Sequence, residues 1–204
     1  KKKIFPIKLD VRNLKKSYTV LKKIIMKCSR VDLLILNAAI YSPGSLKEIS
    51  PINAKKVIDI NLIGVINCLP TILNMMKKEN KGHVIFVSSP AGYKGMPGAG
   101  LYGVTKSGLT FLAETLKIEL EQFNIKVQVV HPGFIKTPMT DQNDFPMPMI
   151  KSPEFAAEKI YNGLVLKKYF EIHFPIAFTY IMKFLRMLPN GIYFKVVEKG
   201  MKKI

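Results

Sequence analysis

The chain has 204 residues, 48 % of them apolar, which suits one domain with a sizeable core and excludes a disordered or fibrous protein. Its formal net charge of +18 invites a nucleic-acid reading, but the excess sits at the ends: +10 over residues 1–30 and +6 over 167–204, against +2 between them. Arg12, Arg30 and Arg186 are the only arginines, and readers of bases and phosphates favour arginine, so a lysine-rich solvated surface is expected and no nucleic-acid partner. Cys28 and Cys68 lie in apolar, helix-like stretches without C-x-x-C or Cys/His spacing. They read as two buried thiols of a reduced, cytoplasmic setting, not as a disulfide framework or a metal site. No signal-peptide layout is visible. The longest apolar stretch, Ile176 to Leu188, is broken by Lys183 and Arg186 and reads as too short to span a bilayer.

Strand and helix signals alternate along the chain. Ile4 to Leu9 reads as a strand and Leu14 to Cys28 as a helix. Asp32 to Leu36 is a continuous apolar run, typical of a strand buried on both faces. Ser50 as cap and Pro51 at the first helical position start a helix that runs to about Lys78. A strand follows at His83 to Val87, then a helix from Leu101 to Phe123 and a strand at Lys126 to Val130. Ser152-Pro153 opens another helix ending near Gly163, and Phe170 to Phe174 is a last strand before one or two short helices. This alternation predicts an α/β fold with a parallel sheet flanked by helices, built as one domain over residues 1–204. Ligands of such sheets bind beyond the carboxyl ends of the strands. Those ends carry Asn37-Ala38-Ala39, Ser88-Ser89 and His131-Pro132-Gly133.

Tyr102 and Lys106 stand four apart, on one face of a helix. A free tyrosine titrates near pH ~10, and a neighbouring ammonium lowers that by favouring the phenolate. The pair can therefore act as a general acid/base on an alcohol or carbonyl. Alone the spacing is weak, because it recurs by chance on solvated helices. Ser89, at the end of the strand His83–Val87, precedes Tyr102 across a glycine-rich loop that can fold the helix back toward the strand end. Its hydroxyl is placed to bond the same substrate oxygen.

Taken together, these residues resemble the short-chain dehydrogenase/reductase family. In that family a strand ending in Ser-Ser precedes a Y-x-x-x-K helix, as VSSPAG precedes YGVTK here. The family's N-N-A-G turn is matched by Leu36-Asn37-Ala38-Ala39, and its N-x-x-G helix segment by Asn61 to Gly64. Its P-G turn with a following threonine is matched by Pro132-Gly133 through Thr137, and its adenine-contacting Asp-Val by Asp10-Val11. The resemblance implies a Rossmann-like sheet and NAD or NADP as cofactor, with the preference open. It implies Tyr102 as proton donor or acceptor, Lys106 lowering its pKa and holding the nicotinamide ribose, Ser89 orienting the substrate oxygen, and Asn61 supporting a water relay to Lys106. It implies that Asp10, Val11, Asn37, Ala38, Ala39, Pro132, Gly133, Ile135 and Thr137 line the cofactor site. Ala39 departs from the family's glycine by one methyl. His131 reads as a packing residue, as do His83 and His173.

The family's opening strand, T-G-x-x-x-G-x-G turn and helix have no match before Asp10, so the chain is expected to lack the first two strands of the doubly wound fold. Ile4 to Leu9 would then be an orphan strand, and poor cofactor binding and marginal stability are expected of the chain as given. The segment Gly98 to Gly103 fits a G-x-G-x-x-G spacing but follows no strand and contains Tyr102, so it does not read as the dinucleotide fingerprint. Residues 138–204 read as the variable substrate region. Within it, Asp144 to Ile150 is a Pro/Met-rich loop suited to a lid over an apolar alcohol or carbonyl substrate. The basic, apolar tail from Phe174 is expected to cover the core or a homo-oligomer contact, with a peripheral membrane surface as the alternative. The competing functions are a non-catalytic binding or membrane-surface relative, or an inactive fragment, and a basic nucleic-acid binder.

Overall fold

A computed structural model describes residues 4–42, 46–165 and 169–201. The first helix, α1 (Leu14–Cys28), is capped by Asn13, whose side chain accepts from the Lys16 amide at 2.9 Å. Removing that cap exposes an orphan amide, so Asn13→Ala is expected to cost about 1 kcal/mol, read as a lower urea midpoint at unchanged slope. Strand β1 (Leu33–Leu36) is followed by α2 (Pro51–Ile58), a π-helical turn at Asp59–Ile63, and α3 (Gly64–Lys78). Ser50 caps α2 and Pro51 opens it, as the sequence predicts. The run Pro51–Lys78 is long and apolar enough to cross a membrane by length and composition, contrary to the expectation that no stretch would be. Its stripe of Val57, Val65, Leu69, Ile72 and Met76 is buried, however, and the last four join the core cluster beneath the sheet.

Strand β2 (Gly82–Val87), helix α4 (Gly100–Glu119), strand β3 (Ile125–Pro132), helix α5 (Pro153–Val165), strand β4 (Glu171–Phe174) and helices α6 (Ile176–Met187) and α7 (Asn190–Met201) complete the order. The four strands form one parallel sheet in sequence order, as the Rossmann-like reading requires. Period-two alternation sorts their side chains. Leu36, Val84, Phe86, Val127 and Val129 pack with Ile72, Met76, Leu109 and Ala113 of α3 and α4. Ile85, Val130, Ile172 and Phe174 pack with Ala156 of α5 on the opposite face.

Three expectations are corrected. Ile4–Leu9 is not a strand: the segment is irregular, and Ile4, Phe5 and Ile7 are exposed, since a strand needs a ladder partner and none among the described residues pairs with it. β1 is buried on one face only, with Leu33 and Ile35 exposed, because α5 covers β3 and β4 and stops short of this edge. Cys68 is buried but Cys28 is exposed, because α1 buries only Ser17 and Leu21. The tail meets its expectation in part. α6 packs Thr179 and Met182 inward, while Tyr180, Phe184 and Met187 remain exposed.

Candidate active site

Parallel pairing brings the carboxyl ends of the strands to one edge. Leu36 is level with Phe86, and Val87 with Val130. Beyond β2 the chain enters a tight turn at Pro90–Gly92, capped by Ser89, whose Oγ accepts from the Ala91 amide at 3.2 Å. Gly92 lets this turn lie directly on α4: a Cβ there would stand 2.7 Å from the Lys106 carbonyl carbon and 2.8 Å from the Ser107 nitrogen. Gly103 does the same from the other side, its missing Cβ pointing at the Ala91 carbonyl oxygen. The turn and helix therefore meet as backbone on backbone, and Ser89 reaches the Tyr102 hydroxyl.

Tyr102 is held by its surroundings in a definite protonation state. Burial pushes its pKa up to about 12, the hydrogen bond from Ser89 works against that, and Tyr41 adds to the rise. The Tyr41 ring stands edge-on to Tyr102, with centroids 5.2 Å apart. Lys106 is 2 % exposed, and burial lowers its pKa to about 8. Its Nζ lies 5.4 Å from the Tyr102 ring centroid and donates to the Val87 carbonyl at 2.7 Å. Lys106 shares a face with Tyr102, its ammonium turned to a strand-end carbonyl, and burial of the phenol sets the direction of the Tyr102 shift.

That depressed lysine pKa has a measurable consequence. Between pH about 10.5 and about 8 the unfolded lysine binds a proton that the folded one refuses, so stability falls as pH falls through this window. Lys106→Met is expected to remove that slope. Urea midpoints of the two proteins, followed over the same range, check it: parallel curves would deny the burial cost.

Asn61 sits in the π-helical turn, a helix irregularity common at functional sites. Its amide bonds both backbone groups of Ile40, accepting at 2.8 Å and donating at 2.9 Å, and donates to Thr105 Oγ1 at 3.2 Å. Thr105 in turn donates to the Tyr102 carbonyl at 2.8 Å. Asn61 thus ties the loop after β1 to the turn of α4 that carries Tyr102. In the same loop Asn37 and Ala38 are exposed, and Ala39 lines a cavity of about 380 Å³ with Tyr41, Asn53, Lys56, Met139 and Gln142 among others. The lid expectation shifts: Pro138, Met139 and Gln142 line this cavity, whereas Phe145 packs on Phe134. The cavity wall is mixed, with Asn53, Lys56 and Gln142 beside Val57 and Met139.

The remaining predicted residues fall into two groups. Pro132 ends β3, and Gly133, Ile135 and Thr137 lie in the turn beyond it. Thr140 Oγ1 donates to the Ile135 carbonyl at 2.7 Å and accepts from the Thr137 amide at 3.0 Å, which folds the turn back. Val11 packs on the α3 side, outside the Ser89, Tyr102 and Lys106 cluster. Val11 fills the space a Cβ at Gly64 would need, and its carbonyl accepts from Asn67 at 2.9 Å. Asp10 is exposed and paired with Arg12 at 2.6 Å, whose hydrogen bond lowers its pKa to about 2.

Residues 1–146 match the profile of the family described as short chain dehydrogenase. The chain belongs to this family. An uncharacterized oxidoreductase of Myxococcus xanthus is 28 % identical over 188 residues, covering 92 % of this chain and 74 % of its own length. The 3-oxoacyl-(acyl-carrier-protein) reductase FabG of Thermotoga maritima is 33 % identical over 167 residues, or 82 % of this chain and 64 % of FabG. The solved structure of ElxO with NADP bound superposes with a TM-score of 0.71 at 28 % identity, over 81 % of this chain and 75 % of ElxO. This chain therefore spans about two thirds to three quarters of these relatives.

Sequence reasoning missed Tyr41 and the cluster around His131. Tyr41 carries no motif, and only folding brings its ring to Tyr102. His131 is buried against Tyr93, as expected of a packing residue, and its ring nitrogens also stand near Glu171 and Thr110.

Proposed function

We propose that this short-chain dehydrogenase is an NAD(P)-dependent oxidoreductase that interconverts an alcohol and a ketone or aldehyde, with Tyr102 as general acid/base. The observation that carries the reading is the meeting of the Ser89 and Tyr102 side chains beside a buried Lys106, with Tyr41 joining Tyr102 to the cavity it lines. When bound, the nicotinamide supplies or accepts the hydride, and the protein supplies orientation and electrostatics.

The donor set fits the nicotinamide end of such a cofactor. Lys106 is a buried ammonium next to a tyrosine hydroxyl, which suits vicinal ribose hydroxyls, and the loops at Asn37–Ala39 and Pro132–Thr137 offer backbone groups beyond the strand ends. Ser89 donates to the oxygen that Tyr102 also reaches, which fixes a substrate oxygen between two hydroxyls. Asn61, through Ile40 and Thr105, holds the turn that presents Tyr102. With its pKa pushed up to about 12, Tyr102 is protonated at neutral pH, so it is poised to give its proton to a developing alkoxide in the direction of carbonyl reduction. FabG's name describes reduction of a 3-oxo group, in keeping with this direction. The mixed cavity wall suits a substrate carrying a polar group near its carbonyl.

The test uses the complete natural protein. Ketones and aldehydes are screened with NADH and NADPH, and alcohols with the oxidised forms, by nicotinamide absorbance. Carbonyl-dependent oxidation of one reduced cofactor is expected. Binding of either cofactor without turnover on any member of a broad carbonyl panel would favour a non-catalytic relative.

A further inference from the structure

Beyond the four motif residues, the structure holds a continuous line of polar side chains that begins at the C-terminal helices and ends on the backbone of Lys106. Glu171, on β4, accepts from the Tyr93 hydroxyl and from Lys183 Nζ at 2.5 Å. Burial alone would raise its pKa, but His131, Lys183 and Tyr93 outweigh that and hold the carboxyl well below its usual range. His131 Nδ1 lies 2.9 Å from Glu171 Oε1, at ion-pair distance but outside hydrogen-bond geometry. His131 Nε2 shares a hydrogen bond with Thr110 Oγ1 at 3.1 Å. Thr110 Oγ1 also lies 3.0 Å from the Lys106 carbonyl and 2.9 Å from Ser88 Oγ, and Ser88 Oγ lies 2.8 Å from that same carbonyl, so the two hydroxyls converge on it. His131, Thr110, Ser88 and Lys106 are all buried. Ser88 caps the end of β2, and its amide donates to the Val130 carbonyl of β3 at 2.8 Å.

We propose that Glu171, His131, Thr110 and Ser88 are positioning residues, a polar network that fixes the α4 turn bearing Tyr102 and Lys106 against the ends of β2, β3 and β4. The proposal rests on the oxidoreductase reading above and adds to it that proton transfer depends on this network more steeply than nicotinamide affinity does. The network touches neither substrate nor the Lys106 ammonium. It acts on the carbonyl of Lys106, and so on the helix register that sets where Tyr102 and Lys106 point. Lys183 and Tyr93 anchor its far end, so α6 and the loop after Ser89 share in the same lock.

The experiment compares Thr110→Val with Thr110→Ser in the complete protein. Valine keeps the shape and removes the hydroxyl, whereas serine keeps the hydroxyl. Thr110→Val is expected to lower kcat about tenfold or more, with the KM for nicotinamide within about twofold, and Thr110→Ser to restore most of the rate. In parallel, amide hydrogen exchange over residues 102–110 is expected to be about tenfold faster in Thr110→Val than in Thr110→Ser. Wild-type kcat and protection in Thr110→Val, or equal losses in both variants, would overturn the proposal. If Thr110→Val does not fold, Glu171→Gln, which offers His131 an amide in place of a carboxylate, takes its place. The same selective loss of kcat supports the proposal and a wild-type kcat overturns it. Should the protein show no turnover at all, the oxidoreductase reading falls alone, and the exchange comparison still decides whether the network holds the turn.

Discussion

Tyr102→Phe is expected to lower turnover of the complete protein by about 10²–10⁴-fold while leaving nicotinamide affinity within about threefold. The substitution deletes one oxygen and keeps the ring, so the edge-on contact with Tyr41 and the fit of α4 are retained. What is lost is the proton donor at the position Ser89 shares. The rate is also expected to depend on pH in a definite sense. A donor with a pKa near 12 stays protonated through the neutral range, so Tyr102 imposes no alkaline limb on carbonyl reduction until strongly basic pH. Alcohol oxidation needs the phenolate and is expected to rise with pH over the same range. Initial rates in both directions, with wild type and Tyr102→Phe, check both statements. Turnover that survives the substitution unchanged would remove Tyr102 from the mechanism.

Much of this was legible in the sequence for identifiable reasons. The Ser50-Pro51 start fixed a helix onset, and apolar runs placed β2, β3 and β4, because helix caps and buried strands leave local signals. The Ser89, Tyr102 and Lys106 set was legible because it lies on one strand–turn–helix unit. Ile4–Leu9 misled because its alternation matched a strand while pairing is a property of neighbours, not of the segment. The partner of the Lys106 ammonium was illegible for a similar reason. Spacing puts Lys106 and Tyr102 on one face, but the choice between phenol and Val87 carbonyl depends on how closely α4 seats on β2. Glu171 is separated from Tyr93 by 78 positions, and no local pattern announces that they meet. Long-range polar contacts of this kind come only from the sheet order that stacks β2, β3 and β4 side by side.

The seating of α4 is also the most vulnerable feature of the site, and Gly92→Ala is expected to expose it. The added methyl would stand 2.7 Å from the Lys106 carbonyl carbon, 2.8 Å from the Ser107 nitrogen and 3.0 Å from the Lys106 oxygen. These are backbone atoms of a hydrogen-bonded helix, so no side-chain rotation relieves the clash, and either the Pro90–Gly92 turn or the helix must move. Overpacking of this sort costs about 1–3 kcal/mol. The movement separates Ser89 from Tyr102, and misplacement of a reacting pair by about an ångström costs on the order of 10²-fold in rate. Gly92→Ala is therefore expected to lose activity as well as stability, whereas a merely structural glycine would lose stability alone. Gly95→Ala is the control: it lies three residues on, and a Cβ there meets nothing within 4 Å. It is expected to keep both the urea midpoint and kcat. Equal behaviour of the two variants would mean that the turn and helix are not in the close contact on which the placement of Ser89 rests.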